Sequence, residues 1–261
     1  MIDPLTHRLL CSDTTTPICL MYHSTPNGSA KSQWDVPLDK FKDQIKLLSD
    51  YGWQSKLISE FNQQPQKKTV FITFDDGFFD NYLAFQALIE NSYAATWFIV
   101  TNAIGGNAYW ETNSNAQRSI LKPEQIRELS NTGMEIGSHT CSHAQLNQLT
   151  DSEAYQELND SKLLLEDTIG TQIYSLAYPY GRYNKSIRDF AEKIGYQHAC
   201  TTKSGFGFVN NDTLQIRRIS IYAHDSLSTF SRKIIFGDND GSRMKTLQYI
   251  SHRLIKRLSR D

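Results

Sequence analysis

The chain has 261 residues, of which 39% are hydrophobic and 21% charged, and its formal net charge is −1. That length can bury a sizeable core in one large domain or two small ones. A charge so close to zero argues against general binding of nucleic acids or other polyanions, because no excess of lysine and arginine is available to neutralise phosphates. No run of about 18 apolar residues is present, so no membrane-spanning helix is expected.

The cysteines and the first residues bear on the compartment. Residues 1–20 lack an apolar stretch followed by a small-residue cleavage site, which is the pattern of a secretory signal. Cys11, Cys19, Cys141 and Cys200 show no Cys-x-x-Cys spacing. They predict free thiols rather than a disulfide framework. Together these features predict a cytoplasmic protein.

Strand-like and helix-like segments alternate from residue 18 onward. Apolar runs at 18–22, 69–74 and 96–100 predict buried strands of short length. Between them, residues 38–51 and 82–90 show the apolar spacing of amphipathic helices.

The alternation resumes after a polar insertion. Pro123 and Gly133 bracket a predicted helix, since proline favours a helix start and glycine the position after its end. Thr150 and Glu153 form a capping box ahead of a long helix that ends at Gly170. The remaining predicted elements are strands at 134–138, 173–178, 198–202 and 214–222, and a helix that is capped by Asn184 and ends at Gly195.

This order of elements predicts one α/β domain over residues 1–261, built on a parallel sheet. About six to eight units favour a barrel, with an open doubly wound sheet as the alternative. Residues 243–260 carry apolar side chains at helical spacing together with six lysines and arginines. They predict a peripheral basic amphipathic helix that packs on the domain. The alternative is an interfacial helix that contacts an anionic membrane.

A pair of carboxylates, Asp75 and Asp76, follows directly after the predicted strand 69–74. In parallel α/β folds, catalytic groups collect where strands end and loops begin. A single aspartate at this position would be interpreted as a helix cap or turn residue. Two adjacent carboxylates raise each other's pKa unless a cation is near. The pair therefore predicts a metal ligand beside a general base.

Two histidines, His139 and His143, follow the predicted strand 134–138 with the spacing of a metal-binding pair. The spacing alone is a weak signal, because histidines recur at it by chance. Two imidazoles and one carboxylate would leave positions open for water and substrate, as in hydrolytic metal sites. Cys141 lies between the histidines, and its offset turns it away from a shared ligand position.

Two loops offer further candidates. The Tyr-Pro-Tyr-Gly sequence at 178–181 ends a strand and could aim a backbone N–H at a developing oxyanion, or be a plain turn with core tyrosines. The polar insertion at 101–122 carries Tyr109 and Trp110. These aromatic side chains could stack on a sugar ring or pack back on the domain.

The motifs together resemble the polysaccharide deacetylases of the NodB-homology type, or carbohydrate esterase family 4. The resemblance spans 18–222 and rests on Thr-Phe-Asp-Asp-Gly at 73–77, His-Thr-x-x-His at 139–143 and Pro-Tyr-Gly at 179–181. The Tyr-Pro-Tyr-Gly form is most similar to the poly-N-acetylglucosamine deacetylase branch. The resemblance implies a distorted (β/α) barrel with parallel strands and fewer than eight regular units.

Site residues follow from the resemblance position by position. Asp75 is the implied general base, and Asp76, His139 and His143 are the implied ligands of a divalent metal, usually zinc, with Co²⁺, Ni²⁺ or Mn²⁺ as alternatives. The Tyr180 backbone N–H would help the metal to stabilise the oxyanion. Metal-bound water would attack the amide while Asp75 removes its proton.

Two positions depart from the family pattern. The family usually places its general acid on a histidine late in the chain, and His224 is the best match, with His198 and His23 as alternatives. Many members also have an arginine two residues before the proline of the third motif, where it pairs with the base. Here that position is Ala177, so Arg182 would substitute, or the metal and neighbouring groups alone would tune the base.

The expected partner is an acetylated amino-sugar glycan, as a polysaccharide, an oligosaccharide or a lipid-linked precursor, with Tyr180 and Trp110 as substrate contacts. Alternatives with the same chemistry are an O-acetyl esterase, a deformylase or another amidase. A different class is a catalytically inactive carbohydrate-binding protein on this scaffold. Intact metal and base positions argue for the enzyme.

Overall fold

A computed structural model describes residues 2–12, 16–61, 68–111, 117–242 and 244. The strands are β1 (Ile18–Tyr22), β2 (Gln54–Lys56), β3 (Thr69–Phe74), β4 (Thr96–Ile99), β5 (Glu135–Ser138), β6 (Ser175–Ala177), β7 (His198–Cys200), β8 (Phe208–Val209), β9 (Asp212–Ile216) and β10 (Ile219–Ser220). The α-helices are α1 (Pro4–Cys11), α2 (Leu38–Asp50), α3 (Asn81–Glu90), α4 (Pro123–Asn131), α5 (Asp151–Ile169), α6 (Lys185–Ile194) and α7 (Leu227–Phe236).

All ten strands belong to one sheet in the order β10-β1-β3-β4-β5-β6-β7-β9-β8, with β2 paired to β3 beside this path. Every pair is parallel except β8 with β9. Ile216 ends β9 and Ile219 begins β10, although these strands lie towards opposite ends of the order. Three Cα–Cα steps span at most about 11 Å, so the sheet must curl until its two ends nearly meet. The predicted distorted barrel is confirmed.

Strands β1 and β3 alternate between two apolar environments, which explains why both are buried along their whole length. On β1, Ile18, Leu20 and Tyr22 pack in the main core cluster, which includes apolar residues of the helices. Cys19 instead joins Phe71 of β3 in a second cluster. Because successive side chains point to opposite faces, a curled parallel sheet covered by helices buries both faces of its central strands.

The predicted helix boundaries are largely confirmed by their capping contacts. Thr150 caps α5 by accepting a hydrogen bond from the Glu153 N–H at 3.3 Å, and the Glu153 carboxylate accepts one from the Thr150 N–H at 2.9 Å. Gly170 ends α5 in the left-handed conformation, with a φ of 72°. These contacts fix the helix that lies behind one of the predicted metal loops.

The structure corrects the predicted strand at 214–222. Strand β9 ends at Ile216 and β10 begins at Ile219, so the segment is broken by Arg217 and Arg218. Arg218 is fully buried, because it turns inward beneath the sheet's carboxyl end. Helix α1 was not expected from the sequence; Asp3 caps it by accepting from the Thr6 N–H at 3.0 Å.

The predicted helix at 243–260 lies, apart from Met244, outside the described residues. Its peripheral and membrane-contact interpretations therefore stay predictions, as does the assignment of residues 1–261 to one domain. Within the described ranges, no helix combines the length and the apolar character needed to cross a membrane.

Candidate active site

The carboxyl ends of three strands bring the predicted site residues together. Asp75 and Asp76 follow β3, His139 follows β5, and Tyr180 follows β6, while His143 lies on the loop after His139. Parallel strands end at the same edge of a sheet, which is why motifs distant in sequence meet there. Asp75, Asp76, His139 and His143 are all buried.

Asp76, His139 and His143 form a compact set of donor atoms. The Nε2 atoms of the two histidines lie 3.4 and 3.2 Å from the same oxygen, Oδ1 of Asp76. One donor atom from each residue lies within 4.8 Å of the others. Asp76 Oδ1 is buried and has no well-formed hydrogen bond among the described residues. Two imidazole nitrogens and an unsatisfied carboxylate oxygen fit a divalent cation, and zinc in particular favours this donor set.

Contacts at the Nδ1 atoms, on the side of each ring away from Asp76, orient both histidines. Nδ1 of His139 lies 2.7 Å from the Ala177 carbonyl oxygen, to which it can only donate, so Nε2 keeps its lone pair for a cation. Nδ1 of His143 lies 3.0 Å from the Tyr180 hydroxyl. Such outer contacts fix the ring orientation of metal-binding histidines.

Asp75 is paired with an arginine that no sequence motif marks. Arg218 donates through Nη1 to Oδ1 of Asp75 at 2.6 Å and through Nη2 to Oδ2 at 2.7 Å. Arg182, the expected substitute, is exposed and is not this partner. Burial acts to raise the pKa of Asp75, but the Arg218 charge, aided by His139, outweighs it, so the pKa lies below its ordinary value.

The only signal for Arg218 in the sequence is a charged pair, Arg217 and Arg218, within an otherwise apolar predicted strand. A buried arginine must have partners for its donors, and Arg218 finds them on several strands. Besides Asp75, it donates to Thr73 Oγ1 and to the Thr201 carbonyl oxygen, each at 3.0 Å. The guanidinium therefore joins β3 to the end of β7.

The three candidate acid histidines lie in different places. His224 is exposed, and its ring stacks on Tyr222 with centroids 5.4 Å apart. Tyr222 packs on Trp34, and Trp34 packs on His23, so two aromatic rings separate His224 from His23. His198 begins β7, at the edge of the sheet opposite to the site.

Among the three candidates, His23 lies beside the Asp75 and Asp76 carboxylates. His23 directly follows Tyr22, which pairs with Phe74 and whose carbonyl oxygen accepts from the Asp75 N–H at 2.9 Å, so His23 and the carboxylates follow neighbouring strands. Burial lowers the pKa of His23, and the charges of Asp76 and Asp75 oppose this only in part. Its Nδ1 atom is buried and has no hydrogen-bond partner among the described residues. For His198, burial lowers the pKa to about 4 with no charged group nearby to oppose it. The structure thus brings His23, and neither His198 nor His224, to the carboxylate pair.

Aromatic rings cover the exposed side of the site. Trp110 stacks on His143 with centroids 4.9 Å apart and an interplanar angle of 28°. Tyr180 meets His143 edge-on at 4.5 Å, and 49% of its surface remains exposed. Trp110, from the polar insertion, is partly exposed and packs on a predicted metal ligand.

Strained backbone is concentrated at the site. Asp76, Thr140, His143 and Tyr180 have positive φ angles of 73°, 67°, 60° and 56°. Residues with a Cβ atom rarely adopt this left-handed region, and clusters of them mark functional sites. Cys141 lies in the same loop; burial raises the pKa of its thiol to about 11, and it is not among the clustered donor atoms.

Comparison with known proteins places this arrangement in a family. The family model for polysaccharide deacetylase matches residues 62–199. The chain belongs to the polysaccharide deacetylase family. YxkH of Bacillus subtilis, which is named for the same family, is 33% identical over 222 residues, covering 82% of this chain and 75% of its own.

Solved structures agree with this membership. The Streptococcus pyogenes deacetylase PplD, in complex with acetate, superposes on this deacetylase-family chain with a TM-score of 0.70 and 26% identity, covering 83% of this chain and 96% of PplD. BC0361, a polysaccharide deacetylase from Bacillus cereus, gives a TM-score of 0.73 and 25% identity, covering 85% of this chain and 69% of its own. The likeness therefore extends over most of the fold around the site.

Proposed function

We propose that this chain is a metal-dependent hydrolase that removes N-acetyl groups from amino-sugar glycans. The observation that carries the proposal is the buried Asp75–Arg218 pair beside the Asp76, His139 and His143 cluster. A relative supports the substrate class: the Staphylococcus epidermidis poly-beta-1,6-N-acetyl-D-glucosamine N-deacetylase is 26% identical over 217 residues, covering 77% of this chain and 72% of its own.

Asp76, His139 and His143 would hold the divalent cation, and their donor set favours Zn²⁺. A cation held there lowers the pKa of a water molecule and polarises an acetamide carbonyl. Tyr180 contributes in two ways. Its hydroxyl holds His143, and its backbone N–H lies in the first turn of the short 3₁₀ segment Pro179–Gly181, where an N–H has no partner within the helix. That N–H is free to donate to an oxyanion.

Asp75 accepts the proton of the attacking water. Arg218 keeps the Asp75 carboxylate charged despite its burial, so Asp75 can accept a proton at neutral pH. Both Asp75 oxygens accept from Arg218, which fixes the plane of the carboxylate and leaves a remaining lone pair on an oxygen for the water proton.

His23 is the proposed general acid for the leaving amine, in place of His224. It follows β1 beside the end of β3 that carries Asp75 and Asp76, and its buried Nδ1 atom has no hydrogen-bond partner among the described residues. The protonated ring would donate its proton to the amine nitrogen as the amide C–N bond breaks. Burial lowers the pKa of His23, so the charges of Asp76 and Asp75 would have to stabilise this protonated form. Trp34 packs on the ring with centroids 4.5 Å apart and keeps it oriented.

Tyr180 and Trp110 would contact the sugar beside the reacting acetamide. Both rings lie against His143 and remain partly exposed towards solvent. Aromatic faces offer rigid apolar area to the C–H groups of a sugar ring, at little cost in conformational entropy. The placement of Trp110 on His143 also means that its removal affects the site itself.

The test combines metal content with acetate release from N-acetylglucosamine oligomers, for wild type and for Asp75→Asn. We expect about one zinc per chain in both proteins and release that is lost only in Asp75→Asn. Asp189→Asn is the matched control, because Asp189 is a partly exposed aspartate on α6 that pairs with Lys185. Acetate release from O-acetylated sugars but not from N-acetylated ones would show that the substrate is an ester rather than an amide. Zinc-free wild type after reconstitution would refute the proposed cation site.

A further inference from the structure

The loop between the two histidine ligands is held from behind by one carboxylate on α5. Oε2 of Glu157 accepts hydrogen bonds from the Cys141 N–H and the Ser142 N–H, both at 2.9 Å. Its other oxygen, Oε1, accepts from the Ser142 hydroxyl at 2.6 Å. A single side chain therefore binds the two residues that directly precede His143.

The backbone conformation of this loop requires stabilisation by contacts from outside the loop. Thr140 and His143 adopt left-handed φ angles of 67° and 60°, which are unfavourable for residues with a Cβ atom. The loop forms no helix or strand that would supply partners for its N–H groups. Hydrogen bonds to an ionised carboxylate are stronger than those between neutral groups, so Glu157 is well suited to keep the strained conformation.

Helix α5 fixes the other end of the ligand segment as well. The hydroxyl of Ser161, one turn after Glu157, lies 2.7 Å from the hydroxyl of Ser138, which directly precedes His139. Residues four apart lie on the same face of a helix. One face of α5 thus contacts the chain immediately before each histidine ligand. Its caps at Thr150 and Gly170 make it a firm support.

We infer that Glu157 is a positioning residue for the metal site, setting the place of His143 through the backbone of the loop. The inference rests on the proposed function, because it assigns Glu157 to the cation that Asp76, His139 and His143 would hold. Glu157 is not among the clustered donor atoms, and its carboxylate contacts Cys141 and Ser142 instead. Its loss should therefore weaken metal binding while leaving the ligand set intact.

The test measures the affinity for Zn²⁺ by competition with a chelator, and the visible absorption of the Co²⁺-loaded protein. In Glu157→Ala we expect an affinity about 10- to 100-fold weaker, the range found when a group that orients a ligand is removed. We expect Glu157→Gln to keep most of the affinity, because its amide oxygen can accept both backbone N–H bonds. Asp160→Asn is the control, since Asp160 is an exposed carboxylate on α5, three residues after Glu157, that lines the same surface pocket.

Circular dichroism of the metal-free proteins separates positioning from folding. Ser142→Ala removes only the hydroxyl bond and should give a smaller loss of affinity in the same direction, even if Glu157→Ala unfolds. Undiminished Zn²⁺ affinity and an unchanged Co²⁺ spectrum in folded Glu157→Ala would overturn the inference alone. A loss in Glu157→Gln as large as in Glu157→Ala would overturn the hydrogen-bond account. A wild-type chain that binds no Zn²⁺ would overturn the proposed function and this inference together.

Discussion

Replacing Arg218 with methionine leaves the Asp75 carboxylate buried without its counter-charge. The wild-type pair is fully enclosed, with N–O distances of 2.6 and 2.7 Å. Methionine fills much of the same apolar volume, so the chief loss is the charge and its hydrogen bonds. Arg217→Met is the matched control, because Arg217 is only partly buried and donates to the Ser204 carbonyl oxygen at 3.0 Å.

The expected magnitude follows from the burial of the pair. Two unit charges 4 Å apart attract each other by about 4 kcal/mol at an effective dielectric constant of 20. Removing one partner of a buried ion pair destabilises a protein by about 3–5 kcal/mol, because the other charge stays desolvated. We expect Arg218→Met to lose that much free energy of unfolding at pH 7. Asp75→Asn combined with Arg218→Met should recover part of it, with a coupling energy of about 2–3 kcal/mol.

The pH dependence has a definite sign. The pKa of Asp75 is lowered in the wild type, so its stabilising contribution is present above the unfolded pKa and is lost as the pH falls through the folded pKa. In Arg218→Met, burial without a counter-charge raises the pKa of Asp75, and the carboxyl can take up a proton at higher pH. The stability difference should therefore shrink as the pH falls from 7 towards about 4.

Urea denaturation of the metal-free proteins measures these free energies, since bound zinc would add its own stabilisation. Circular dichroism and fluorescence should give coincident transitions for each variant. A loss below about 1 kcal/mol, which is typical of exposed ion pairs, would contradict the reasoning. So would a coupling energy near zero, or a stability difference that grows on acidification.

Three further predictions concern the remaining site residues. We expect His23→Gln to lower acetate release by about 10²- to 10⁴-fold at unchanged zinc content, while His224→Gln retains near wild-type rates; the reverse order would assign the acid to His224. Tyr180→Phe removes the hydroxyl that contacts His143, so zinc affinity should fall about 10-fold in a chelator competition, and unchanged affinity would deny the contact a role. Trp110→Ala should raise KM for oligomers more than it lowers kcat in steady-state assays, and a purely kcat effect would restrict Trp110 to packing on His143.

Strand β3 and its two aspartates could be predicted from the sequence, because apolar periodicity and adjacent carboxylates are local signals. Residues 69–74 form the strand as predicted, and Asp75 and Asp76 follow it. The two histidines could be placed with them, since both motifs end parallel strands. The candidate histidine that lies beside the carboxylates could not be predicted, because His23 and His224 each follow an apolar segment. Only the curl of the sheet determines which of them faces the carboxylates.

Local sequence patterns do not identify Arg218 as the partner of Asp75. Arg218 is 143 positions from Asp75, and its segment has the composition of an ordinary strand. The sequence therefore predicted one strand at 214–222, where the structure has β9, a buried guanidinium and β10. A charge inside an apolar segment signals burial with a partner, but it does not say which carboxylate that partner is.

The order of the strands has a consequence for biosynthesis. Asp75 follows β3, His23 follows β1, and Arg218 lies where β9 passes to β10, which pairs with β1. Residues 62–199, which match the family model, include Asp75 and every proposed metal ligand but neither His23 nor Arg218. A chain growing on the ribosome thus completes the proposed cation ligands well before Arg218 can pair with Asp75. Only when residue 218 has emerged and β10 has docked on β1 can the proposed hydrolysis begin.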